Sequence, residues 1–211
     1  MRKKNKKILF LLGCLVLTII GSSFAFWSGK IEHTNVLNAD KMKAEINEIF
    51  KKDSQPTGTV QKEVLFKNDS TSAAFLRVSY GETWQKEEDE EIVLLNNQIN
   101  GTDVAIKNWK NGFGENSSLW TDGGDGWFYY NKVMKPSSET EKILTEVTFP
   151  DYSDNNYADY STATYQLYFR MELLQVSDSQ FTLNSEEVNK KATMSVFGKE
   201  ATVSGTTVEW K

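Results

Sequence analysis

Few residue types in this chain can carry out covalent chemistry, and their spacing does not suit it. Its 211 residues include one histidine, His33, and one cysteine, Cys14. A zinc-peptidase site of the His-Glu-x-x-His kind needs a pair of imidazoles on one helix face, so none can be built here. Gly-x-Ser-x-Gly is absent, and His33 lies too near the start of the chain to centre a Ser-His-Asp relay. Asp122, Asp125 and Gly126 have the composition of a calcium loop but not the spacing that ends on a chelating glutamate. A tight hairpin turn accounts for the same residues. Asp151, Asp154 and Asp159 supply loop carboxylates with no second ligand type nearby. Paired carboxylates for glycoside hydrolysis cannot be singled out among 29 acids. The expectation is a chain that is not an enzyme, with no catalytic, metal-binding or cofactor-binding residue and no cofactor.

The one reaction that the sequence suggests is performed on the chain. Arg2, Lys3, Lys4, Lys6 and Lys7 form a basic head, Ile8 to Ile20 an apolar run, and Gly21-Ser22-Ser23-Phe24-Ala25-Phe26 its end. A positive head, a short apolar stretch and a small-x-Ala end make a secretory signal peptide. Residues 1–25 are the signal, with hydrolysis between Ala25 and Phe26. Ile8 to Trp27 is also 20 residues without a charge, and roughly 20 apolar residues span a bilayer. A retained anchor is therefore the alternative, weakened by Gly21, Ser22 and Ser23. Leu11-Leu12-Gly13-Cys14 looks like a lipobox but sits too early, so Cys14 reads as a small hydrophobe within the signal.

Loss of 25 residues from 211 leaves 186, enough for one domain with a substantial core. That remainder has no cysteine, so packing and hydrogen bonds must hold it without disulfides. Loss of five basic residues and no acid takes the net charge from −5 to −10. An acidic surface argues against nucleic acid, whose phosphates need basic groups. It argues equally against anionic lipid, so membrane contact is expected only through an uncleaved signal.

Period-2 alternation dominates what must position any surface. Val60, Val64 and Phe66 fall on one face of one strand, and Ala74, Leu76, Val78 and Tyr80 on one face of the next. The Asn68-Asp69-Ser70 turn between them reads as a short connection between antiparallel neighbours. Gln85 to Glu91 is a charge run, read as a solvated loop. Ile92–Leu95 and Val104–Trp109 are short strands. Trp120 and Trp127-Phe128-Tyr129-Tyr130 flank an Asp/Gly cluster, as a hairpin does. Ile143, Thr145, Val147 and Phe149 alternate. Tyr165, Leu167, Phe169, Met171 and Leu173 line the strongest strand. Asn38 to Lys52 has Met42, Ile46, Ile49 and Phe50 at helical spacing. Asn184 to Lys191 reads as a helical turn before final strands at Ala192–Phe197 and Ala201–Trp210. Short strands at this spacing make an all-β, antiparallel β-sandwich with a short helical element or two.

Several stretches resemble one family. The basic head, the ending Gly21 to Ser28 and the following Thr34-Asn35-Val36-Leu37-Asn38 resemble proteins exported through a SipW-type signal peptidase: the TasA/camelysin group and BsaA-type biofilm matrix proteins of Gram-positive bacteria. Ala39 stands where the family pattern has glycine. Val64-Leu65-Phe66-Lys67-Asn68 with Ala73-Ala74-Phe75-Leu76-Arg77-Val78 is similar to the family's paired strands. Trp120 to Tyr130 is similar to its aromatic hairpin, and Lys135-Pro136 and Thr164 to Glu172 to the remaining stretches. The resemblance covers residues 1–175, leaving 176–211 as a C-terminal extension with a β-hairpin, packed on the domain at 26–175.

The resemblance implies a jelly-roll-like sandwich and tips Met42–Ile49 toward strand. It implies a secreted or cell-surface protein of the extracellular matrix, with a SipW-type peptidase as processing partner. Some members polymerise when the freed N-terminal segment of one subunit adds as a strand to the next. Such a contact satisfies an open edge, and a head-to-tail contact that does not close gives filaments. In this chain the candidate donor is residues 26–38, anchored by Phe26, Trp27, Ile31, Val36 and Leu37. Partners are then other copies or related matrix subunits. The competing expectations are a camelysin-like surface metalloprotease and a cell-wall or carbohydrate-binding module using its tryptophans. No Leu-Pro-x-Thr-Gly signal or apolar tail points to wall anchoring.

Overall fold

The longest pairing in the molecule joins β2 (Ala74–Glu88) to β10 (Thr164–Gln175), antiparallel and without a bulge from Ala74↔Gln175 to Gln85↔Thr164. The computed structural model describes residues 57–177 and 184–211. β2 is longer than any one partner. Its opposite side pairs near Arg77 and Val78 with β8 (Phe128–Tyr130), and from Trp84 to Glu88 with β3 (Glu91–Leu95). β7 (Trp120–Asp122) continues beyond β8. A second sheet holds β1 (Gly58–Val64), β9 (Leu144–Phe149) and β6 (Ile106–Trp109), with β9 in the middle. β4 (Gln98–Ile99) and β5 (Thr102–Asp103) form a small hairpin.

The two sheets pack face to face through aromatic side chains, giving an all-β antiparallel sandwich. Trp84 meets Phe149 edge-on at 5.9 Å, Phe66 meets Phe169 at 6.0 Å, and Tyr80 lies 4.8 Å from Trp109. Alternation sends Leu76, Val78 and Trp84 of β2 and Tyr165, Leu167 and Leu173 of β10 into this core, as their spacing predicts.

Four readings of the sequence need correction. β1 and β2 are not neighbours, because β1 pairs with β9 and β2 with β10. The turn at Asn68 is a corner between sheets. Its amide nitrogen donates to the carbonyls of Ser72, Met134 and Lys135, and its Oδ1 accepts from Ser70 N–H. Buried hydrogen bonding of that kind holds a crossover where a hairpin would hold a ladder.

The charge run Gln85–Glu91 is not a loop. It is the end of β2, a two-residue turn and the start of β3. Asp89 and Glu90 have φ of 50° and 67°, the pair of left-handed residues that a type I′ hairpin needs. The alternation in β9 also breaks. Ile143 and Leu144 are both buried and Thr145 is not, because the ladders to β1 and β6 are irregular where they meet Leu144.

Ala192–Phe197 is helical, not a strand. α1 (Ser185–Phe197) runs through it and stops at Gly198, whose φ of 73° closes the last turn. Asn189, Thr193 and Phe197, four apart, form its buried face. A hairpin of β11 (Ala201–Ser204) and β12 (Thr207–Trp210) follows. Together these cover the outer face of the larger sheet, enclosing Phe75, Tyr129 and Leu174 with Phe197, Val208 and Trp210. The polar stretch Asp151–Tyr160 runs into a 3-10 helix, Asn155–Thr162, with Asp154 as its cap.

Candidate functional site

The residues that the sequence marks for processing and strand donation, Ala25, Phe26, Trp27, Ile31, Val36 and Leu37, lie outside the described residues, as do His33 and Asn38 to Lys52. The acidic candidates are described, and the fold uses them locally. Asp122 accepts from Gly124 N–H, and Asp125 from Trp127 N–H and the Tyr129 hydroxyl. Burial and the hydrogen bond from Tyr129 act in opposite directions on Asp125, and the bonds win, holding its carboxyl below the usual range. The same contact and burial push the Tyr129 hydroxyl up to about 12. Asp151 and Asp154 bind backbone N–H groups of their own turns, and Asp159 takes Lys86. Among the described residues no three His, Cys, Asp or Glu side chains cluster as a metal-ion site.

The tryptophans are equally committed. Trp84 and Trp120 are fully enclosed, and Trp127 lies under the Arg77 guanidinium at 4.2 Å. Lys62 and Lys107 are the buried cations among the described residues, and the second of them stands in an ionic cluster. Lys107 Nζ donates to Glu82 Oε1 and Asp103 Oδ2, both at 2.7 Å, and the Tyr165 hydroxyl donates to Glu82 Oε2 at 2.6 Å. Burial would neutralise the Lys107 ammonium, but these bonds more than offset it and raise its pKa. Each carboxylate oxygen of Glu82 thus has a donor. The open depression beside it, about 430 Å³ and lined by Glu82, Asn96, Asn97 and Gln98, has no free acid or base to offer a reactant.

Among the described residues Trp84 Nε1, Trp120 Nε1 and Asn97 Oδ1 are buried without a hydrogen-bond partner, and the longest open row of polar groups is backbone. Val176 N–H donates to the Ala73 carbonyl, and peptide groups alternate along a strand. The even residues of β10 therefore face β2, and Leu167, Phe169, Met171, Leu173 and Gln175 direct N–H and C=O outward. Among the described residues no strand pairs with that side. The edge is twelve residues long, with no proline and no bulge. Toward the middle of it Phe169 and Met171 point between the sheets yet are only half-buried.

β3 has a second free edge. The I′ hairpin pairs Glu91, Val93 and Leu95 with Glu88, Lys86 and Trp84, leaving the peptide groups of Ile92 and Leu94 outward. Their side chains are 71% and 68% exposed. Sequence reading missed this edge because it hid the hairpin inside a charge run.

No protein-family model, no curated protein and no solved structure matches this chain. Among the described residues no helix is long and apolar enough to cross a membrane.

Proposed function

We propose that this chain is a secreted, non-enzymatic structural subunit of an extracellular matrix of the TasA/camelysin/BsaA type. Processed between Ala25 and Phe26 by a SipW-type peptidase, it assembles by backbone pairing between copies. The observation that carries the reading is the outer edge of β10. A long, regular, proline-free edge strand is a template for another strand, and proteins that are not meant to pair blunt such edges. The half-buried Phe169 and Met171 leave room along that edge for apolar anchors of an added strand. Residues 26–38, with Phe26, Trp27, Ile31, Val36 and Leu37, are the donor. The local bonds of Asp122, Asp125, Asp151, Asp154 and Asp159 weigh against a metalloprotease, and the enclosure of Trp84 and Trp120 against sugar stacking by those two indoles.

The test uses the chain from Phe26 to Lys211, which retains every described element of the core. It forms filaments visible by negative-stain electron microscopy, and deletion of residues 26–38 leaves a folded protein without filaments. A synthetic peptide of residues 26–38 caps growth when added in excess. Filaments of unchanged length after the deletion, or chelator-sensitive casein cleavage by the pure protein, would overturn the proposal.

A further inference from the structure

We propose that the β3 edge is a self-pairing seam, by which two copies of this chain join their larger sheets antiparallel across a two-fold axis. The seam is centred on residues Glu91–Leu95 and so goes beyond strand donation by residues 26–38; it stands if that donation fails. Three observations converge on β3. First, the outward peptide groups and the exposed apolar side chains belong to the same two residues, Ile92 and Leu94. An exposed strand edge that is also apolar is a docking surface. Second, the edge is held in place before any partner arrives. The hairpin turn is fixed at Asp89-Glu90, Asn97 Nδ2 donates to the Glu82 carbonyl, the Tyr160 hydroxyl to the Asn96 carbonyl, and Lys86 Nζ to Asp159. Little ordering is left to oppose association.

The third observation selects a second copy as the occupant. Ile92-Val93-Leu94 is nearly its own complement when reversed. With Val93 on the axis, Ile92 of one copy faces the partner's Leu94, and each pair exchanges the outward N–H and C=O groups of both residues. The apolar side chains then lie together on one face. In this register the acidic tip, Glu87-Glu88-Asp89-Glu90-Glu91, points away from its counterpart. Glu91 falls beside the partner's Leu95, and Glu90 beside the partner's Asn96, an exposed amide able to donate to a carboxylate. A parallel arrangement would stack the two acidic tips side by side, which like charges oppose. An anionic lipid surface is opposed by the same charge. An isologous contact of this kind closes on itself, so it gives dimers, or ties two filaments together, without extending either.

The chain from Phe26 to Lys211 is tested by sedimentation over a concentration series, with and without residues 26–38. A reversible dimer with a Kd on the order of 100 µM is expected, unchanged by the deletion. Val93→Cys forms a disulfide dimer on mild oxidation, because residues facing each other at a non-hydrogen-bonded antiparallel position have Cα atoms about 4.5 Å apart, within disulfide reach. Ile92→Cys and Leu94→Cys cross-link when mixed and much less when alone. Ile92→Thr with Leu94→Thr abolishes the dimer at unchanged melting temperature. Leu94→Pro, which removes an outward N–H together with the exposed leucine side chain and no N–H that faces β2, does the same. A monomer at about 1 mM, a dimer in which neither the Val93→Cys nor the mixed pair cross-links, or a dimer lost on deleting 26–38 overturns the seam. The last result assigns the edge to the donor segment instead.

Discussion

The ammonium of Lys107, its side chain 3% exposed, stands between two carboxylates at 2.7 Å. Removing one member of a buried ion pair leaves the others desolvated and unopposed. Lys107→Met is expected to cost about 3 kcal/mol of unfolding free energy, measured by urea denaturation. Two sets of shifts bound the pH range of stability. Asp103, Asp125 and Glu141 titrate below their usual values of 3.8, 3.8 and 4.5. Each is burial opposed by stronger hydrogen bonds: Lys107 and Gln98 on Asp103, Tyr129 and Trp127 on Asp125, Lys132 and Tyr130 on Glu141. A lowered folded-state pKa contributes stability above the unfolded value that is lost as pH falls through the folded one. Lys107 and the hydroxyls of Tyr129 and Tyr130 shift upward, the tyrosines through burial and carboxylate neighbours. Their contribution is full below the unfolded values near 10 and fades as pH rises, for Tyr129 toward about 12. The urea midpoint is therefore expected to hold steady through neutrality and to fall at both ends, below about pH 4 and above about pH 10.

Elements differ in how visibly the sequence declares them. β10 and β2 are legible because apolar residues recur at every second position over most of their length, and the β7–β8 hairpin because an Asp/Gly cluster separates its aromatic runs. Their partners are not, since a strand's own pattern says which face is buried and nothing of which strand lies beside it. Asn68 illustrates the gap. It has the composition of a hairpin turn, yet it is 0% exposed and ties the Ser72 carbonyl to those of Met134 and Lys135 at the corner between sheets. Asn68→Ala is expected to destabilise by about 2–3 kcal/mol in thermal or urea unfolding, because buried acceptors lose their donor. A surface turn Asn would cost far less. The β2–β3 hairpin was hidden because its turn is Asp89-Glu90, without the glycine that advertises a I′ turn. Ala192–Phe197 misled for the opposite reason: Thr193, Val196 and Phe197 favour strands, but the buried spacing of Asn189, Thr193 and Phe197 and the Gly198 stop carry the helix to its end.

At the scale of the whole molecule, the C-terminal 28 described residues, 184–211, are part of the domain. They bond to it at several points. Arg77 Nη1 donates to the Phe197 carbonyl at 3.0 Å, Trp210 Nε1 to the Tyr130 carbonyl at 3.1 Å, and Val208 N–H to the Asn131 carbonyl at 2.9 Å. Trp210→Ala is expected to cost about 3–5 kcal/mol and to expose enough of Phe75 and Tyr129 to bind a hydrophobic dye below the melting temperature. The sequence places final strands at Ala192–Phe197 and Ala201–Trp210, whereas the first is helical and the second folds back on itself as the β11–β12 hairpin. It gave no sign that the extension supplies half of a second core, because that core depends on the outward faces of β2, β8 and β10 being apolar at only Phe75, Tyr129 and Leu174. The free edges were illegible for the same reason as the pairings.

The placement of the indoles makes that arrangement optically readable. Trp84 is sealed in the sandwich and Trp210 in the second core. Replacing either by phenylalanine subtracts one reporter from its compartment, while Trp109, Trp120 and Trp127 continue to emit as a common background. The two difference spectra, followed during heating, time the opening of each compartment separately without any attached dye. Coincident curves are expected, since β2 and β10 lend side chains to both.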